Sequence, residues 1–207
     1  MFDFCHNPET GKVRAVAVST RNLPNDVASI LRFVGALDEV QEHTDEIVFS
    51  PVLRGNTGYI PDPETVRRAK EATGNTDPHS VSGAVINMHQ VEDGHFRPGK
   101  RIMFINIGKL VDGKMQPRLE VEVFHKIVHE SRHRATIAAV ASGKEPPENR
   151  DNILLLERVA YEREMEVLRK LLQEYEKRGM VDNTVYRYLV SHTKDIERQL
   201  VAIHNQL

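Results

Sequence analysis

The sequence predicts an α+β fold, with a small antiparallel sheet in the N-terminal half followed by three long helices. Two observations lead there. Residues 1–116 are punctuated by turn formers and short β-branched runs, whereas residues 117–207 read as long stretches of helical apolar spacing broken by glycine and proline. No repeat, low-complexity tract or linker interrupts the chain, so one domain over residues 1–207 is the expectation.

Taken in order, Val13 to Val18 alternates as a strand after the turn former Asn7-Pro8-Glu9-Thr10-Gly11. From Leu23 to about Gln41, apolar residues at Val27, Ile30, Leu31, Val34 and Leu37 have helical spacing, with Pro24 and Asn25 at the start. Glu46 to Leu53 is a short strand, Arg54 to Pro63 a loop, and Pro63 to Thr73 a short helix stopped by Gly74. Ala84 to Val91 and Arg101 to Leu110 read as paired strands of a hairpin.

A helix is expected from Pro117, which suits a first-turn position, to Ser142, with Gly143 as its stop. Pro146 and Pro147 bar its continuation. A second helix runs from about Asp151 to Arg178 and ends at Gly179, and a third starts at the Asp182-Asn183 cap.

Composition excludes several function classes. The chain has 207 residues, 40% hydrophobic and 28% charged, enough for one sizeable core. A net charge of -2 gives no general pull toward nucleic acid or an anionic membrane, so neither partner is expected. No apolar run approaches the roughly 20 residues a membrane-spanning helix needs. The opening Met-Phe-Asp-Phe-Cys-His lacks the basic and apolar regions of a secretory signal, and a cytoplasmic location is the expectation. The single cysteine, Cys5, leaves no thiolate cluster, so a metal would have to be held by His, Asp or Glu.

The chemistry concentrates at His129-Glu130-Ser131-Arg132-His133, an H-E-x-x-H motif in the middle of the first long helix. Two histidines four residues apart lie one turn above each other on the same face, so both imidazoles can reach one tetrahedral zinc ion. Glu130 points to the adjacent flank. From there its carboxylate can take a proton from a water on the metal and pass it to a leaving amine. The bland alternative is a polar helix face bearing two solvated histidines. Arg132 is charged where the inner positions of such motifs are usually neutral, and helical geometry lets it project away from the pair.

A catalytic zinc needs a third protein ligand and leaves a fourth position open. The extended motif with a later histidine fails, because those positions hold Thr136 and Ala139. The next helix is the natural source. Glu157 has Ile153, Leu154, Ala160 and Tyr161 three and four residues away, and Glu164 has Ala160, Tyr161, Val167 and Leu168. An acid on such an apolar stripe needs a cation or hydrogen bonds to offset desolvation, whether a metal or an arginine such as Arg132, Arg134 or Arg158. His125 faces roughly the same way as His129 but lies too far along the axis to share its ion. Tyr186, Tyr188 and His192 on the last helix are candidates to hydrogen-bond an oxyanion, against the plainer reading of core or surface residues.

The pairing of His129-Glu130-x-x-His133 with a downstream Glu157-Arg158-Val159-Ala160 resembles the zincin superfamily in its gluzincin branch. The resemblance covers only the two helices from about Pro117 to Arg178. It implies a zinc-dependent peptidase acting on a peptide or protein substrate, with His129, His133 and Glu157 as ligands and Glu130 as general base. Tyr161, one turn beyond Glu157, is the candidate for a further catalytic group. In that superfamily an edge strand pairs with extended substrate, and Arg101 to Ile107 would fill that place, with an interior strand as the equal alternative. The rival function is a non-catalytic interaction or regulatory protein with a structural or vestigial metal site.

Overall fold

A computed structural model describes residues 16–50, 83–87, 101–111, 114–117 and 119–207. The fold is α+β. The chain divides into two compact units, one of residues 1–24 and 44–127, the other of residues 25–43 and 128–207.

The first unit carries the sheets. Strands β1 (Val16–Ser19), β2 (Glu46–Ser50), β3 (Gly83–Asn87) and β4 (Arg101–Asn106) form one sheet in the order β1-β2-β4-β3. β1 runs antiparallel to β2 and β3 antiparallel to β4, but β2 and β4 are parallel, with Val48 opposite Phe104. The sheet is therefore mixed, which corrects the antiparallel expectation. A parallel pair cannot be joined by a tight turn, and β2 and β4 are separated in sequence by β3. Burial fits the central place of β2, whose Ile47, Val48 and Phe49 are all buried, as in a strand covered on both faces.

The expected strand from Arg101 to Leu110 is two strands. β4 ends at Asn106, and β5 (Gly108–Val111) pairs antiparallel with β6 (Lys114–Pro117) as a separate ribbon. β4 itself lies between β2 and β3, so it is not the free edge that a substrate could extend. A polar clamp ties the start of β4 to the residue before β2. The Arg101 backbone N–H (2.9 Å), Nε (3.2 Å) and Nη2 (2.9 Å) all donate to the Asp45 carboxylate.

In the second unit the expected helix from Leu23 to Gln41 is two, α1 (Asn25–Phe33) and α2 (Leu37–His43). Gly35 breaks it with a φ of 73°, a left-handed conformation that favours glycine. The apolar spacing continues across the break, since Val27, Leu31, Val34, Leu37 and Val40 are all buried. Lys170 and Arg163 then donate to the Val34 and Gly35 carbonyls at the end of α1, at 3.2 and 2.7 Å.

The remaining helices are α3 (Glu120–Ala141), the short α4 (Glu148–Asp151), α5 (Ile153–Lys177) and α6 (Thr184–His204). Residues of α3 from Val128 onward belong to the second unit. α3 starts at Glu120 rather than Pro117, because Pro117 ends the β6 strand. α5 starts one residue past Asn152, whose side chain accepts from the Leu154 N–H, and Asn183 caps α6 through the Val185 N–H. Gly143 and Gly179, at φ 72° and 68°, follow the ends of α3 and α5. Among the described residues no helix is long and apolar enough to cross a membrane. The expected strand residues 13–15 and 51–53 and the expected helix from Pro63 to Thr73 lie outside the described residues.

Candidate metal centre

α5 buries Ala160, Glu164, Met165, Val167, Leu168 and Leu171, so its inward stripe is apolar except for one carboxylate. α6 packs along it and buries Leu189, Ile196 and Ile203, a stripe that repeats every two turns. The motif histidines of α3 meet the acids of α5. His129 and His133 are 4% and 9% exposed, and both rings face Glu157.

The distances define a vertex. His129 Nε2 and His133 Nε2 are 3.0 Å apart. Glu157 Oε2 is 3.4 Å from His129 Nε2, and its Oε1 is 3.3 Å from His133 Nε2. Donor atoms at 2.0–2.1 Å from a tetrahedral metal lie roughly 3.3 Å from each other. All three contacts are near that edge length, with one Glu157 oxygen toward each imidazole, so two nitrogens and one carboxylate are close enough to hold a metal ion. His133 Nδ1 is buried and has no hydrogen-bond partner among the described residues, so His133 lacks the outer support that Glu164 gives His129.

Glu164 stands behind His129. Its side chain is fully buried, and His129 Nδ1–H donates to its Oε2 at 2.8 Å. That bond puts the proton on Nδ1 and leaves the Nε2 lone pair toward the vertex, the usual support for a metal-binding imidazole. The other oxygen, Oε1, accepts from His192 Nε2 at 2.8 Å. His192 is thus joined to an acid and not to the vertex, and its ring stacks on Tyr188 with centroids 5.4 Å apart. Tyr186 lies at the surface, its hydroxyl donating to Glu176.

Two of the three arginines that offered an ordinary explanation for the buried acids have other partners. Arg132 approaches Glu145 at 3.6 Å and Arg158 approaches Glu162 at 3.8 Å. Arg132 therefore projects away from the histidine pair.

Compared with known proteins, the chain matches no family model, no curated protein and no solved structure.

Electrostatics follow from this packing. Burial alone would raise the Glu157 pKa, but His129 and His133, when protonated at both nitrogens, donate to it and, with their charge, hold the carboxyl well below its usual range. The acid stays ionised, as a ligand must. The Tyr161 ring meets His129 edge-on at 4.9 Å. Burial, then the negative charges of Glu157, Glu164 and Glu130, push its hydroxyl well above the usual range. Tyr161 therefore remains a proton donor, and Glu130 acts on it from nearby.

The structure brings His129, His133, Glu157, Tyr161 and Glu164 together. Sequence reasoning did not give His192 its partner, although one signal was present. It falls three residues after Leu189 and four before Ile196, on the stripe that α6 buries.

Proposed function

We propose that this chain is a zinc-dependent hydrolase of the H-E-x-x-H type, a metallopeptidase with His129, His133 and Glu157 as ligands and Glu130 as general base. The observation that carries the reading is the vertex of two imidazole nitrogens and one carboxylate, 3.0 to 3.4 Å apart. The H-E-x-x-H spacing, with an acid placed as general base beside two helical histidines, favours zinc, which is commonly held by histidine nitrogen and carboxylate oxygen with one position left open. Bound there, zinc supplies a Lewis acid that polarises a carbonyl and lowers the pKa of a water toward neutrality.

The chain's own residues do the rest. Glu130 lies between the two histidines in sequence and on their flank in the helix, where its carboxylate takes a proton from the attacking water. It returns that proton to the departing amine, so that one acid serves both halves of the reaction. Tyr161, kept protonated by burial and three nearby acids, donates a hydrogen bond to the carbonyl oxygen as negative charge develops on it. Glu164 keeps the His129 ring in the tautomer that offers its Nε2 lone pair. The reading extends the resemblance to the gluzincin branch of zincins, and its substrate class is a peptide or protein.

The test is Glu130→Gln, assayed on a peptide library and on a proteome digest scanned for new termini. The variant is expected to retain fold and zinc while losing nearly all hydrolysis. Wild-type protein that carries zinc, cleaves nothing in either screen and matches Glu130→Gln in every binding assay would replace the enzyme with a zincin-like interaction or regulatory protein.

A further inference from the structure

Glu164 is a single carboxylate serving two imidazoles, one at each oxygen, both at 2.8 Å. Its side chain is fully buried, so no bulk water replaces either donor. Rotation of the carboxylate about its last bond would turn its Oε2 away from His129 Nδ1. The His192 donor at Oε1 opposes that rotation, in a cluster that also includes His125. His192 is itself held, because its ring stacks on Tyr188 at 14° between planes and its backbone lies on the stripe of α6 that packs against α5.

We infer that His192 is a positioning residue for the metal centre: by donating to Glu164 it fixes the carboxylate that orients and polarises His129. This deepens the metal reading and rests on it. His192 does not enter the vertex. It acts from the far side of the acid, so that three side chains from three helices, α6, α5 and α3, form one hydrogen-bonded line ending at the His129 Nε2 lone pair. A carboxylate so anchored makes the imidazole a better donor, and losing such outer support costs about 10–100-fold in metal affinity.

Substitutions of similar size separate the hydrogen bond from mere packing. Glutamine can place an N–H where His192 Nε2 stands, whereas leucine fills the space without a donor. Zinc affinity of the full chain would be measured by competition with a chromophoric chelator. In parallel, cobalt(II) would be titrated as a probe whose visible absorption reports ligand geometry. His192→Gln is expected to stay within about twofold of wild type, and His192→Leu to bind zinc about tenfold more weakly with a shifted cobalt band. Circular dichroism accompanies each variant, and His192→Ala takes the place of leucine should that chain fail to fold. Equal loss in the glutamine and leucine variants, or no loss in either, overturns the inference while leaving the metal centre standing. A wild-type chain that takes up neither zinc nor cobalt overturns the metal reading and this inference with it.

Discussion

Asp45 in the first unit and Glu164 in the second are both carboxylates gripped by several donors, yet they end in different chemistry. Asp45 accepts from the Arg101 backbone N–H and guanidinium in a half-exposed clamp. Glu164 is fully buried and accepts from His129 and His192. A guanidinium has donors and no acceptor, so a carboxylate that meets one reaches the end of a line. An imidazole that donates from one nitrogen offers a lone pair at the other, and the line continues. The first pair ties two strands together; the second turns an imidazole lone pair toward His133 and Glu157.

Breaking the comparison at its reactive end should give the largest effect. Glu157→Ala removes one of three atoms at the vertex and should weaken zinc binding by more than Glu164→Ala, for which about 10–100-fold is expected. Chelator competition measures both, with circular dichroism to show that each chain is folded. The reverse order would make Glu164 the ligand and Glu157 its support.

Acid should open the same site over a predictable window. Glu157 is held below the ordinary carboxylate range, so its charge survives as the pH falls and its contribution is lost only through a lower folded-state value. The imidazoles compete with protons first. Zinc affinity is therefore expected to weaken progressively as the pH falls from about 7 to about 4.5, because each imidazole must give up its proton to bind the ion. Equilibrium dialysis across this range would follow it. A zinc affinity that does not change with pH over that range would show that the histidines do not hold the ion.

The smallest effect is expected at the clamp. Asp45→Asn should cost about 0.2–1 kcal/mol in urea unfolding, because a part-exposed ion pair gains little over its hydrated parts. It should leave zinc affinity unchanged. A zinc effect there would mean that the two carboxylates are not the separate devices described above.

Much of the second unit was legible because its signals are local. The H-E-x-x-H spacing sets two imidazoles on one helical face, and an acid among apolar neighbours three and four residues away marks a stripe that must satisfy it. Asn152, Asn183, Gly143 and Gly179 sit where caps and stops belong. The break at Gly35 was missed because apolar spacing carries across it, and only a positive φ reveals the turn. The place of β4 was missed for a different reason. Its parallel partner β2 precedes it by a long stretch of chain, and nothing in the alternation of either strand says which neighbours it will find. His192 belongs with these: its stripe was readable, but its partner lies on another helix.

The central claim is that the vertex of His129, His133 and Glu157 holds a metal, and the metal content of the protein tests it most directly. Wild-type chain purified without chelator should carry about one zinc ion by inductively coupled plasma mass spectrometry, and His129→Ala and His133→Ala, folded by circular dichroism, should carry none. Wild-type protein that holds no zinc and takes up none on titration, or histidine variants that keep the full content, would contradict the account.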